Sequence, residues 1–187
     1  MKTIKVQVYN FNELPIDVQK DVIEKHYEKE DYPFLTRDIH EQLNSIDSFF
    51  YNSELYYSLS YSQGDGLSFS ADFDLNKWIN EKYNFKQSVK DALKTVICSI
   101  DSNGNKGYYC YASTSNIDAD IDPIVSKYPN IEKLVNLIID NVERYYMDLC
   151  VKLEAYGYSI LDYRMDEDEY SDYADVNEYQ YLLDGTL

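Results

Sequence analysis

Residues 54–71 read ELYYSLSYSQGDGLSFSA. The first eight, Glu54 to Tyr61, are rich in aromatic residues that suit a pleated, half-buried surface. Ser62-Gln63-Gly64-Asp65-Gly66 has the composition of a tight turn. Leu67 to Ala71 then alternates apolar and polar residues. Two strand patterns on either side of a glycine turn predict an antiparallel hairpin over residues 54–61 and 66–72.

Working outward, residues 2–9 alternate, with Ile4, Val6 and Val8 on one side, and predict a further strand. Asn12-Glu13-Leu14-Pro15 is a helix entry, Pro15 being tolerated in a first turn. Val18, Val22, Ile23 and Tyr27 carry that helix to about Lys29. A second helix holds Leu35, Ile39, Leu43 and Ile46 on one stripe. Beyond the hairpin, Asp74 is placed to cap a short helix ending near Tyr83. Residues 86–100 read as a helix with Val89, Leu93, Val96 and Ile97 inward. Tyr108 to Ile117 reads as a strand. The longest helix, about residues 130–156, carries Ile131, Val135, Ile138, Val142, Tyr145 and Leu149, with Gly157 as its stop. Strands and helices mix without regular βαβ alternation. The expectation is one α+β domain over 1–187, an antiparallel sheet of about four to five strands against helices, including one long core helix.

Composition narrows the function. The 187 residues hold 34 Asp and Glu against 17 Lys and Arg, a net charge of −17. That balance repels phosphate backbones and anionic lipid, so neither nucleic acid nor a membrane is expected as a direct partner; basic proteins are attracted. Disordered acidic chains are poor in hydrophobic residues; here hydrophobic residues reach 44% and aromatics 16%, including 21 tyrosines, enough to build a core. Cys98, Cys110 and Cys150 are odd in number and far apart, which fits a reducing compartment better than a disulfide framework. Met1–Lys5 lacks the apolar core of a secretory signal, and no apolar run nears the ~20 residues of a membrane helix. A cytoplasmic protein is expected.

Chemistry-bearing patterns are few. The Gln63-Gly64-Asp65-Gly66 turn is a candidate anion or small-ligand site through its backbone amides, with Gln63 or Asp65 as polar contacts. The same glycines serve any hairpin turn needing positive φ. Asp118, Asp120 and Asp122 alternate and form a weak candidate for a divalent cation. Asp101-x-Asn103-x-Asn105 resembles the start of a calcium loop, but Lys106 stands where the turn glycine belongs and Ala112 where the bidentate Glu belongs. His26 and His40 have no Cys or Ser at motif spacing, and no nucleophile elbow or phosphate-binding loop occurs. No catalytic centre and no cofactor is expected.

Residues 162–187 hold nine acids against one base, Arg164. Asp166, Glu169, Asp172, Asp175 and Glu178 step by three, which advances ~4.5 Å per step along a helix. Duplex DNA presents one charge per ~3.4 Å per strand, a comparable spacing. Tyr170 and Tyr173 lie among these acids as aromatic anchors, the residue type enriched at hot spots. The predicted partner surface is therefore Asp162, Asp166, Glu167, Asp168, Glu169, Tyr170, Asp172, Tyr173, Asp175 and Glu178.

Three segments together resemble a group of small uncharacterised phage and mobile-element proteins. They are the strand followed by Phe11-x-Glu13-Leu14 and a helix; Tyr61-Ser62-Gln63-Gly64-Asp65-Gly66-Leu67-Ser68-Phe69; and Asn177-Glu178-Tyr179-Gln180-Tyr181 running to Asp184-Gly185, similar to the group's closing hairpin. The resemblance covers the ends and the middle but not residues 84–125, and Pro15 replaces a Ser that often begins the first helix. It implies a phage or mobile-element origin, hence host cytoplasm, and some members carry an antitoxin label. The expectation is a non-enzymatic, DNA-mimicking inhibitor of a host defence system, of anti-CRISPR or anti-restriction type. It would occlude a basic DNA- or RNA-binding groove of a CRISPR effector or restriction enzyme. The alternatives are an antitoxin-like partner of a basic toxin and a ligand-binding protein or enzyme centred on the Gln63–Asp65 turn; a homodimer is a further option.

Overall fold

The hairpin is present. In the computed structural model, which describes residues 6–27, 32–102 and 109–186, β1 (Phe50–Ser58) pairs antiparallel with β2 (Gly66–Phe73). β3 (Ile97–Asp101) pairs with β2, and β4 (Asn116–Asp120) with β3, both antiparallel. The described residues thus form an α+β fold with a four-stranded antiparallel sheet in the order β1-β2-β3-β4. The helices are α1 (Ile16–Tyr27), α2 (Leu35–Ile46), α3 (Leu75–Lys82), α4 (Gln87–Leu93), α5 (Asp122–Lys127), α6 (Glu132–Arg164) and α7 (Glu167–Val176). They group with the sheet into two compact units, residues 36–157 and residues 1–35 with 158–187.

The larger unit is built on the sheet. Strand alternation places Leu67, Phe69, Ala71 and Phe73 of β2 on the face shared by Cys98 and Ile100 of β3, and all are buried. Against this face lies α6, whose Val135, Ile138, Val142 and Leu149 are fully or nearly fully buried, as their helical spacing requires. Aromatic rings mesh there: Phe69 with Tyr146 at 4.8 Å and Trp78 with Tyr145 at 4.8 Å. The ladder between β2 and β3 covers only Ala71 to Phe73. Where it ends, the Tyr146 hydroxyl takes the missing partner's place, accepting from the Phe69 amide and donating to the Phe69 carbonyl, both at 3.0 Å. Asp74 caps α3 as expected, accepting from the Lys77 amide.

The smaller unit has a tyrosine-rich core of Phe11, Leu14, Val22, Ile23, Tyr170, Ala174 and Tyr181. Tyr9 and Tyr181 exchange two backbone hydrogen bonds of 2.9 Å and tie the two ends of the chain together. The buried Tyr170 and Tyr181 hydroxyls meet at 3.1 Å. The Arg164 guanidinium lies over the rings of Tyr27 and Tyr32, at 4.6 and 4.5 Å.

Several sequence expectations are corrected. The helix expected over 86–100 ends at Leu93, and Ile97–Asp101 is β3; Val96 and Ile100 are buried there through strand packing. The apolar run Val96-Ile97-Cys98-Ser99-Ile100 fits either period. The strand expected over Tyr108–Ile117 is instead a short 3-10 turn at Ala112–Thr114 followed by β4; Tyr108 and the Asn103–Asn105 turn lie outside the described residues. Of the strand expected over 2–9, the described part makes only the Tyr9–Tyr181 bridge. Gly157 does not stop α6, which runs on to Arg164. Its glycine serves close packing, since a Cβ there would stand 2.5 Å from Leu59 Cδ1.

Candidate partner-binding surface

The expected acidic tract forms α7 and its flanks. Asp166 is the N-cap, its carboxylate accepting from the Asp168 and Glu169 amides at 2.9 and 3.3 Å. Glu167, Asp168 and Glu169 fill the first turn, where the helix dipole favours negative charge. One face of α7 turns inward with Tyr170, Ser171 and Ala174, while Asp162, Asp166, Asp168, Asp172, Asp175 and Glu178 are exposed. Lys20 Nζ stands 4.0 Å from Glu167. Tyr163 is exposed beside this tract, and its hydrogen bond to Glu169 raises its hydroxyl pKa.

Two expectations for this surface change. Tyr170 is 1% exposed and packs edge-on against Phe11, so it is a core residue and not an anchor. Tyr173 is half-buried, with its hydroxyl 3.4 Å from that of Tyr179. The step-by-three stripe also breaks before its last member: α7 ends at Val176, and Glu178 has a left-handed φ of 55°. Beyond that end, Asp175 and Glu178 line a cleft of about 300 Å³ together with Asn10, Tyr179 and Gln180.

The Gln63–Gly66 turn is already filled from within. The Asp65 carboxylate accepts from the Ser60 and Ser62 amides at 2.7 and 2.9 Å and from the Ser58, Ser60 and Ser62 hydroxyls. The Ser60 and Ser62 amides therefore hold the turn's own carboxylate, which places a negative charge where an external anion would come. Gly64 has φ 130°, and Tyr109 and Tyr111 stack over Gly64 and Gly66. Gln63 is exposed. Nearby, burial and the charge of Asp65 raise the pKa of Glu154.

Asp118 and Asp120 stand exposed on β4, and Asp122 lies in the first turn of α5, so the three do not converge. Among the described residues no group of three or more His, Cys, Asp or Glu is arranged to hold a metal ion. Burial pushes the Cys98 and Cys150 thiols up to about 12, the charge of Asp118 adding to the effect at Cys98; Cys110 is raised by burial as well. His26 packs among the rings of Tyr27, Tyr170 and Tyr173.

Sequence reading missed a second acidic surface. The strand sequences FYNSELYYS, GLSFSADF, ICSID and NIDAD contain no Lys, Arg or His. Their five acids are Glu54, Asp72, Asp101, Asp118 and Asp120. The register puts all five on the face opposite the core: Glu54 pairs with Ser70, Asp72 with Ser99, Ser99 with Asp118, Asp101 with Asn116, and Ile97 with Asp120. Tyr56 shares this face, and its hydroxyl pKa is raised by burial and then by Glu54. The signal was present in the parity of the acids, but only once β3 and β4 are assigned as strands.

No family model, curated protein or solved structure matches the chain. No helix among the described residues is long and apolar enough to cross a membrane.

Proposed function

We propose that this protein is a non-enzymatic inhibitor that blocks the basic nucleic-acid-binding groove of a host defence protein, such as a CRISPR effector or a restriction enzyme. One observation carries the reading: the exposed acids that follow the first turn of α7. Asp166 to Glu169 have a structural reason to be acidic, at a helix N-terminus. Asp172 and Asp175 do not: Asp172 lies mid-helix, beyond the first turn, and Asp175 lies in the last turn, where a carboxylate opposes the dipole. Both are exposed, and Asp175 joins Glu178 at the cleft, where a Lys or Arg side chain would meet two carboxylates and the Tyr179 ring. A phage or mobile-element origin, with action in the host cytoplasm, belongs to the same proposal.

The mechanism is occlusion. Carboxylates pair with the cations that otherwise hold DNA or RNA phosphates, and complementary charge speeds encounter. The test adds purified CRISPR effectors and restriction enzymes to the protein and measures DNA cleavage. Wild type is expected to inhibit, less as salt rises, because exposed charges are screened over ~8 Å at physiological ionic strength. The variant Asp172→Lys, Asp175→Lys, Glu178→Lys is expected to lose inhibition while keeping its fold, since none of the three caps α7. Undiminished inhibition by the folded triple variant removes this tract from the mechanism.

A further inference from the structure

We infer that the apolar cleft between α4 and the start of α6 is a binding site for a small amphipathic anion, an aromatic or aliphatic group that ends in a carboxylate. The site shares no residue with the acidic tract, and the inference goes beyond the proposed function.

The cleft has a volume of about 370 Å³. Small-molecule pockets run from about 300 Å³ upward, with mostly apolar walls and a few polar groups. Val89 and Ala92 line the cleft from α4, and Tyr128, Ile131 and Leu134 from the segment that leads into α6. Ser88 and Asn130 add a hydroxyl and an amide, and none of the described lining residues is an acid. Backbone hydrogen bonds hold these segments in place. The Tyr128 amide donates to the Ile124 carbonyl at 2.8 Å, the Ile131 amide to the Tyr128 carbonyl at 2.9 Å, and the Val89 amide to the Lys86 carbonyl at 2.9 Å. A site formed in advance spends little on ordering when it binds.

Charge complementarity selects the head group. The chain holds 34 acids against 17 bases, yet residues 86–94 and 127–134, which supply the lining, reverse the balance: Lys86, Lys90, Lys94, Lys127 and Lys133 stand against Asp91 and Glu132. Lys127 Nζ lies 5.2 Å over the Tyr128 ring, so a cation stands beside a lining side chain. A ligand whose apolar end fills the cleft brings its carboxylate to that cation. Size selects a small molecule over a protein. A stable protein interface takes about 20–30 residues a side, and this cleft offers seven. A second copy would also bring a net charge of −17.

The test uses the intact protein and three probes of one shape: phenylbutyrate, phenylbutanol and phenylbutylammonium. Methyl NMR shifts of Val89, Ala92, Ile131 and Leu134 locate binding, and titration gives affinity. The butyrate is expected to shift those methyls and to bind about threefold tighter than the alcohol, the size of one exposed ion pair, with the ammonium weakest. The net charge of the chain acting alone gives the opposite order. Lys127→Gln, at an exposed position, is expected to bring the butyrate down to the alcohol and leave the alcohol unchanged. Ala92→Leu narrows the cleft and is expected to weaken all three about tenfold. Tightest binding by the ammonium, or a butyrate affinity that Lys127→Gln leaves unchanged, overturns the choice of a carboxylate. Methyl shifts that are absent, or binding that survives Ala92→Leu, overturn the site. An acidic amphipathic peptide that shifts the same methyls at lower concentration than the butyrate makes the occupant a protein segment and also overturns the inference. Should Ala92→Leu not fold, the order of the probes and Lys127→Gln decide.

Discussion

Asp166, Glu167, Asp168 and Glu169 gather around the N-terminus of α7, where the backbone amides and the dipole welcome them. Asp118 and Asp120 stand on β4, where the other charged side chains that the four strands carry are of the same sign. Both surfaces are acidic, yet one helps the element that carries it and the other works against it. The difference lies in periodicity. A helix spreads a run of acids around its axis, so several of them find structural work at the end of the helix. A strand sorts side chains by parity, so acids spaced by two all reach one face and repel one another. An acidic surface with a local structural use says little about function. An acidic surface that costs stability asks for a reason outside the fold.

The comparison presumes that the sheet's acids ride on a rigid core, and the largest expected effect tests this. Val142 is 0% exposed in the stripe of α6 that covers the sheet. Val142→Asp buries an unpaired carboxylate and is expected to cost on the order of 3–5 kcal/mol, or to prevent folding. Denaturant unfolding measures it. Unchanged stability would show that this face of α6 is not core.

Alkaline pH probes the same core without mutation. The Cys98 and Cys150 thiols, ordinarily near 9.0, are raised by burial to about 12. Tyr145, Tyr146 and Tyr170 are raised too, burial being the main cause in each. An acid whose folded pKa lies above its unfolded one ionises first in the unfolded chain. Stability is therefore complete below pH 9 and falls as pH climbs from 9 toward 12, by about 1.4 kcal/mol per pH unit for each buried thiol. Circular dichroism across that window should show a cooperative loss of structure. Complete tyrosine ionisation before that transition would mean that the buried rings of Tyr145, Tyr146 and Tyr170 are open to water.

A smaller effect separates two uses of a buried tyrosine hydroxyl. In the larger unit Tyr146 stands in for a strand, satisfying both backbone groups of Phe69. In the smaller unit Tyr170 meets another hydroxyl, that of Tyr181. Tyr146→Phe leaves a buried amide and carbonyl without that partner and is expected to cost about 1–3 kcal/mol. Tyr170→Phe leaves one hydroxyl that can turn elsewhere and is expected to cost about 1 kcal/mol. Thermal unfolding of the two variants gives the order, and a reversed order would refute this reading of Tyr146.

Much of this fold was legible because the decisive segments follow one period. Residues 54–72 alternate around two glycines, and Val135 to Leu149 repeat at helical spacing, so hairpin and core helix could be read directly. Residues 96–100 defeat the same approach: a run so uniformly apolar fits a buried strand or a helix, and contact with β2 decides between them. The error propagated to the site. With β3 read as helix, the acids of β3 and β4 could not be placed on one face, and attention fell on the longest acidic run. That run forms α7 and its flanks, and Tyr170 within it is a core residue whose burial against Phe11, 159 positions earlier, no local pattern signals. Asp65 was open to either role by sequence, and only the serine hydroxyls and amides around it show the turn closed by its own carboxylate.

The smallest effects bear most directly on the two acidic surfaces, since they differ in sign. Asp166→Ala removes the cap of α7 and leaves the Asp168 and Glu169 amides without their acceptor, so a loss of about 1 kcal/mol is expected. Asp118→Asn with Asp120→Asn removes two charges from the sheet, keeps the side-chain volume and relieves like-charge repulsion, so a gain of roughly a few tenths of a kcal/mol is expected. Added salt should sharpen the contrast: screening weakens the repulsion in wild type, and the advantage of the sheet variant shrinks. The cap's hydrogen bonds are short-range, so the loss in Asp166→Ala should change much less. Chemical denaturation with urea at low and high salt provides the measurement, urea being uncharged. A sheet variant less stable than wild type at low salt would mean that these carboxylates hold the fold together.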